Sequence, residues 1–90
     1  MLIYKPPIVF HPGETLSEKL EEMSLSVTAL SLATGLEEQA LRSFISGERP
    51  LSAEMALALE HVTSIPVGFW MAQQSAYDEF RKNEQLQDLQ

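Results

Sequence analysis

Apolar residues recur at helical spacing along the chain, in short segments separated by glycine, proline and serine. Leu16, Leu20 and Met23 stand at i, i+4 and i+7, which places them on one face of a helix. Pro12 stands just before this stripe, where its missing N–H is tolerated because the first turn of a helix leaves that donor unpaired. We therefore predict a first helix that begins near Pro12 and buries the stripe.

Two further short helices follow, separated by a tight turn. Ser26 is a good N-cap for the second helix, and Gly35 ends it because glycine tolerates the positive φ of a helix C-terminus. The third helix is predicted from about residue 37 to residue 46, and Gly47 stops it. Two short helices joined by a tight turn that contains glycine are typical of the helix-turn-helix motif.

A fourth and a fifth helix complete the predicted domain. Ser52 caps the fourth helix, and Glu54 lies in its first turn, where the helix dipole favours an anion. Pro66 begins the fifth helix, which is rich in aromatic residues and is expected to fray into a polar tail. The predicted fold is all-α: one domain with an extended arm at 1–10, a five-helix core at 11–80 and a tail at 81–90.

The N-terminal arm contains Pro6 and Pro7, which remove two backbone donors and exclude a helix. Its apolar residues allow two interpretations. The arm covers the core of its own domain, or it forms a short strand that pairs with a partner chain. We favour the first, because apolar arms usually pack on their own domain.

Composition and charge restrict the class of protein. The 90 residues include no cysteine, which excludes disulfides, thiol chemistry and cysteine-based zinc sites. The apolar runs are too short for a membrane span and the N-terminus does not resemble a signal peptide, so we expect a cytoplasmic protein without membrane attachment. The net charge of −7 argues against strong nonspecific binding of nucleic acid. It favours a basic partner protein, or DNA contact confined to a small patch.

Neither histidine indicates catalysis. His11 precedes Pro12 at a helix start, where capping is a better explanation than acid–base chemistry. His61 stands beside Glu60, but the neighbouring carboxylates do not form a metal-ligand spacing. The sequence contains no glycine-rich phosphate loop and no nucleophile elbow. We predict that the protein is not an enzyme and uses neither a cofactor nor a metal.

Longer stretches of the sequence resemble a known family. Residues 26–35, followed by RPLSAEMA at 49–56, resemble the Cro/cI-type helix-turn-helix. HPGE at 11–14, and IPVGFW at 65–70 followed by Gln74, are similar to the HigA branch of that family. The resemblance covers most of the chain. It implies a lambda-repressor-like fold and an antitoxin that binds its own operator as a homodimer, represses transcription and neutralises a basic ribonuclease toxin of the RelE type.

The resemblance places a DNA-binding surface on the second and third helices. Gln39 can pair with adenine, and Arg42 can reach guanine or a phosphate. Glu38 can accept a hydrogen bond from cytosine. Ser43, Ser46 and Arg49 can contact phosphates. The alternative is an ordinary solvated helix face. The candidate DNA-binding residues are Thr28, Glu38, Gln39, Arg42, Ser43, Ser46 and Arg49.

Several residues depart from the family pattern. Glu37 and Glu38 at the start of the third helix, and Glu48 after it, would repel DNA phosphates. Val27 stands where the family usually has glutamine. These departures favour a second hypothesis, a protein-interaction module whose helix-turn-helix no longer binds DNA. A third hypothesis is a solitary transcriptional regulator without a toxin.

The fifth helix is predicted to form the dimer or partner interface. Phe69, Ala72, Ala76 and Phe80 trace one stripe, and Trp70 and Tyr77 trace a neighbouring one. A helix that is apolar over so wide an arc usually faces both its own core and a second surface. Large aromatic residues also anchor interfaces well, although a purely structural role in the core is the simpler alternative. The predicted interface residues are Phe69, Trp70, Tyr77 and Phe80.

Overall fold

A computed structural model describes residues 9–88 and shows five α-helices, which confirms the predicted all-α fold. The helices are α1 (Pro12–Met23), α2 (Val27–Thr34), α3 (Glu38–Ile45), α4 (Ala53–Thr63) and α5 (Val67–Asp88). Helix α3 packs on α1 and α2, α4 packs on α2 and α5, and α1 also contacts α5. The short α2–α3 pair is thereby held against a scaffold of three longer helices.

Side chains that satisfy free backbone N–H groups set the helix starts. His11 caps α1, because its Nδ1 accepts a hydrogen bond from the Gly13 N–H at 2.9 Å. Ser26 caps α2 and Ser52 caps α4 through their side-chain oxygens. The caps predicted from the sequence at these three positions are therefore confirmed. Gly35 ends α2 with a φ of 76°, the left-handed conformation expected of it.

The hydrophobic core lies where all five helices meet. Trp70, Phe44, Leu16 and Leu30 are its largest members without solvent exposure. The first-helix stripe is confirmed at Leu16 and Leu20, which are buried. It is wrong at Met23, which is 40 % exposed at the last residue of α1.

Hydrogen bonds from side chains connect α5 to the rest of the domain, and two of them satisfy backbone N–H groups. Glu60 in α4 accepts a hydrogen bond from the Val67 N–H at 2.8 Å, so a carboxylate from one helix caps the next. Gln74 is buried in the middle of α5, and its Oε1 accepts from the Leu51 N–H at 2.8 Å. These contacts fix α5 relative to the loop that follows α3.

The two ends of the chain have different outcomes: the predicted tail is corrected, and most of the predicted arm is not described. Helix α5 continues to Asp88, so the predicted polar tail at 81–90 is helical over most of its length. Residues 1–8 of the predicted arm lie outside the described part of the chain. Phe10, which belongs to the described part, is 59 % exposed.

Candidate nucleic-acid interface

The α2–α3 unit presents an exposed polar face. Leu30 in α2 and Leu41 and Phe44 in α3 have no exposed surface, and they anchor the two helices on the core. Gln39, Arg42, Ser43 and Ser46 stand at i, i+3, i+4 and i+7, so they share one side of α3. Gln39 and Arg42 are exposed and Ser43 is half-buried. This side of α3 can therefore enter a DNA groove without unfolding of the core.

Two of the candidate residues are joined by a hydrogen bond. Arg42 donates from Nε to Glu38 Oε2 at 3.0 Å, one turn apart in α3. The Thr28 hydroxyl of α2, and then the bond from Arg42, lower the pKa of the Glu38 carboxyl. Glu38 is therefore paired with Arg42 and is not a bare negative charge at the start of α3.

The remaining candidates lie near the end of α3. Ser46 is the exposed C-cap of α3, and its hydroxyl donates to the Ser43 carbonyl at 3.0 Å. Arg49 is exposed in the loop between α3 and α4. The side chains of Ser46 and Arg49 are not part of the Glu38–Arg42 ion pair.

The sequence suggests that Glu38 repels DNA phosphates or recognises cytosine. Neither interpretation includes its hydrogen bond to Arg42. A Glu at i with an Arg at i+4 is nevertheless a favourable helix pair, so the spacing of Glu38 and Arg42 is a usable signal for their contact. The contribution of Thr28 has no such signal in the sequence, since it depends on how α2 crosses α3.

The start of α1 packs on the buried side of α3, opposite its exposed polar side. The His11 ring lies 5.3 Å from the Phe44 ring and 4.9 Å from the Tyr77 ring, between centroids, with an edge-on geometry to Tyr77. Gly13 lies so close to the Phe44 backbone that a Cβ at Gly13 would be 2.9 Å from the Phe44 carbonyl carbon. The first turn of α1 therefore packs directly on the last turn of α3, which fixes the position of the exposed polar side of α3.

His11 is neutral in this arrangement. Its Nδ1 accepts a hydrogen bond and so carries no proton. Burial lowers the pKa of the imidazole, while a hydrogen bond to the Arg49 backbone and the charges of Asp78 and Glu14 act in the opposite direction. Protonation would remove the cap and place a cation at the positive end of α1.

The two apolar stripes of α5 have different surroundings. Trp70 has no exposed surface and lies in the core of its own protomer, so its assignment to an interface is corrected. Tyr77 is half-buried against His11. Phe69 is 54 % exposed and Phe80 is half-buried. The outward stripe of α5 (Phe69, Ala72, Ala76 and Phe80) is thus the face available to a second chain.

Among the residues whose side chains the structure describes, no group of three or more His, Asp or Glu could hold a metal ion. Within residues 9–88, no helix is both long and apolar enough to cross a membrane.

Known proteins resemble the chain over most of its length. Virulence-associated protein A' of Dichelobacter nodosus is 33 % identical over 79 residues, which cover 87 % of this chain and 69 % of that protein. The antitoxin HigA of Pseudomonas aeruginosa, solved with the higBA promoter, has a TM-score of 0.83 and 29 % identity and covers 91 % of this chain and 90 % of its own. The antitoxin GraA has a TM-score of 0.85 and 31 % identity, with coverage of 92 % and 90 %. No family model matches the chain.

The five-helix fold and its α2–α3 unit define a helix-turn-helix protein. Within that class, the chain belongs to the HigA-type antitoxins. The family expected from the sequence is therefore confirmed.

Proposed function

We propose that this protein is the antitoxin of a toxin–antitoxin pair and that it represses its own promoter by binding operator DNA as a homodimer. The observation that carries the proposal is the exposed polar side of α3, with Gln39, Arg42 and Ser43, in a chain similar over its length to an antitoxin solved with its promoter. Helix α3 of each protomer enters the major groove. The operator is then a palindrome with half-sites about one helical turn apart.

The outward stripe of α5 supports the dimer. Phe69 leaves about half of a large aromatic side chain in water, which is unfavourable for a monomer and typical of an interface anchor. A closed two-fold dimer is the commonest way to bury such a stripe. The same symmetry presents two copies of α3 to the DNA.

The acidic surface supports a basic protein partner. The net charge of −7 is opposite in sign to a basic ribonuclease toxin and would accelerate its encounter with this chain. Co-expression with the small basic protein encoded beside it should yield a stable complex and restore growth to cells that make the toxin. Absence of such a neighbouring gene would favour the solitary regulator instead.

Fluorescence anisotropy with a labelled duplex of its own promoter tests DNA binding. A dimer that neutralises about four to six phosphates should show a slope of log K against log salt of about −4 to −5. Arg42→Ala should weaken promoter binding more than Lys19→Ala. The two variants remove the same charge, but Lys19 in α1 pairs with Glu22 at 3.6 Å and lies off the exposed side of α3.

A protein-interaction module without DNA binding is the second candidate. Glu37 and Glu48, both exposed at the two ends of α3, favour it. A folded dimer that fails to bind the promoter even at low salt would refute the repressor and leave this candidate.

A further inference from the structure

We propose that Glu38 is a specificity-determining residue that orients Arg42 to recognise guanine in the operator. This inference rests on the operator binding proposed above. It assigns to Glu38 a positioning role, which differs from direct contact with a base.

The geometry of the pair selects one edge of the guanidinium. Arginine has five N–H donors in a planar fork, and Glu38 Oε2 accepts from Nε at 3.0 Å. The two terminal nitrogens therefore remain free at the end directed away from the carboxylate. Such a pair of parallel donors matches the O6 and N7 acceptors of guanine in the major groove.

The pair lies beside the neighbouring helix. The Thr28 hydroxyl of α2 and the bond from Arg42 both lower the pKa of the Glu38 carboxyl, so Glu38 is the charged partner of Arg42. The side chains of Arg42 and Glu38 are 54 % and 39 % exposed, which leaves the guanidinium accessible to a DNA groove. An exposed ion pair of this kind contributes little to stability. Its main consequence is the direction in which Arg42 points before DNA arrives.

The pair also explains why an acidic residue is compatible with DNA at the start of α3. Glu38 shares its charge with Arg42, and together they present no net charge to the phosphates. Glu37 is one residue earlier, is exposed and makes no capping hydrogen bond through its side chain. It offers a matched control, because the same carboxylate is present without the contact to Arg42.

Selection of duplexes from a randomised library, with the purified full chain, tests the role. The wild type should enrich a palindrome with one guanine per half-site whose replacement weakens binding about 5- to 100-fold. Arg42→Ala should abolish that discrimination. Glu38→Ala should reduce this guanine discrimination about two- to fivefold, the range that an exposed ion pair can supply, although loss of a negative charge strengthens binding to unrelated duplexes. Glu37→Ala should strengthen binding to the selected palindrome and to unrelated duplexes alike, and so preserve the guanine discrimination.

The conservative variant Glu38→Gln separates position from charge. Its amide oxygen can still accept from Arg42 Nε, so it should retain more guanine discrimination than Glu38→Ala. Circular dichroism of each variant establishes that the helices are intact.

Two results would overturn the role of Glu38 alone. Either Glu38→Ala keeps the guanine discrimination of the wild type, or it loses a preference for cytosine at a different base pair, one that Arg42→Ala leaves unchanged, which would mean direct contact of Glu38 with that base. A wild-type protein that enriches no sequence would refute operator binding itself, and this role with it.

Discussion

Replacing Gly13 with alanine measures how tightly the start of α1 packs on the end of α3. An added Cβ would overlap the Phe44 carbonyl oxygen and lie 2.9 Å from its carbon, and both are backbone atoms that cannot rotate away. Forcing a methyl group into a packed site typically costs about 1–3 kcal/mol. Helix propensity opposes this cost, since alanine is favoured over glycine by at most about 1 kcal/mol. The clash should win, with a net loss of about 1–2 kcal/mol.

Gly68 is the matched control. It is the second residue of α5, as Gly13 is the second residue of α1, but a Cβ at Gly68 would meet nothing within 4 Å. Gly68→Ala should therefore stabilise the protein by about 0.5 kcal/mol through the unfolded chain.

Thermal unfolding followed by circular dichroism at one fixed protein concentration compares the variants. For a domain of this size, 1 kcal/mol shifts Tm by about 4–8 °C. Gly13→Ala should thus lower Tm by about 4–16 °C, and Gly68→Ala should raise it by a few degrees. A Gly13→Ala protein as stable as the wild type would show that α1 and α3 do not pack this closely, and would refute the positioning of the exposed side of α3 by α1.

Three further predictions concern the interface, the buried amide and the buried imidazole. Phe69→Ala should raise the dimer dissociation constant at least tenfold in sedimentation equilibrium, because burial of about 100 Å² per copy contributes about 2.5 kcal/mol, whereas Leu32→Ala on α2, 83 % exposed, should leave it unchanged. Gln74→Leu should cost about 1–3 kcal/mol in urea unfolding, since the Leu51 N–H loses its partner, and an unchanged midpoint would contradict this contact. Folding lowers the pKa of His11, so the unfolded chain binds its proton at a higher pH than the folded one. The contribution of neutral His11 to the free energy of unfolding should therefore be fully present above about pH 6.5 and should fall as the pH drops below that value. His11→Asn keeps a side chain that can cap α1 but does not titrate, so its Tm should fall less between pH 7 and pH 5 than that of the wild type. An equal fall in both proteins would show that His11 is not the source of the pH dependence.

Local chemistry made the five helices predictable. Ser26, Gly35 and Ser52 each act within three or four residues of chain, and the structure shows them as caps. The end of α5 was less predictable, because polar residues at 81–88 can form a helix or a frayed tail with similar local preferences.

Tertiary placement determined what the sequence could not. Trp70 and Phe69 are adjacent aromatics of similar character, and only the crossing of α5 over α4 buries one and exposes the other. The contact between Gln74 and Leu51 joins residues 23 positions apart and follows no periodicity. The pairing of Glu38 with Arg42 lay within reach of the i, i+4 rule.

The bond between Gln74 and Leu51 has a consequence for operator architecture. It links the middle of α5 to the loop that leaves α3, so in the proposed dimer the helix that joins the protomers also sets the separation of the two reading helices. One base pair inserted at the operator centre moves the half-sites apart by about 3.4 Å and turns one against the other by about 34–36°. A rigid dimer cannot follow that rotation. Such an insertion should therefore weaken operator binding even though both half-sites keep their bases.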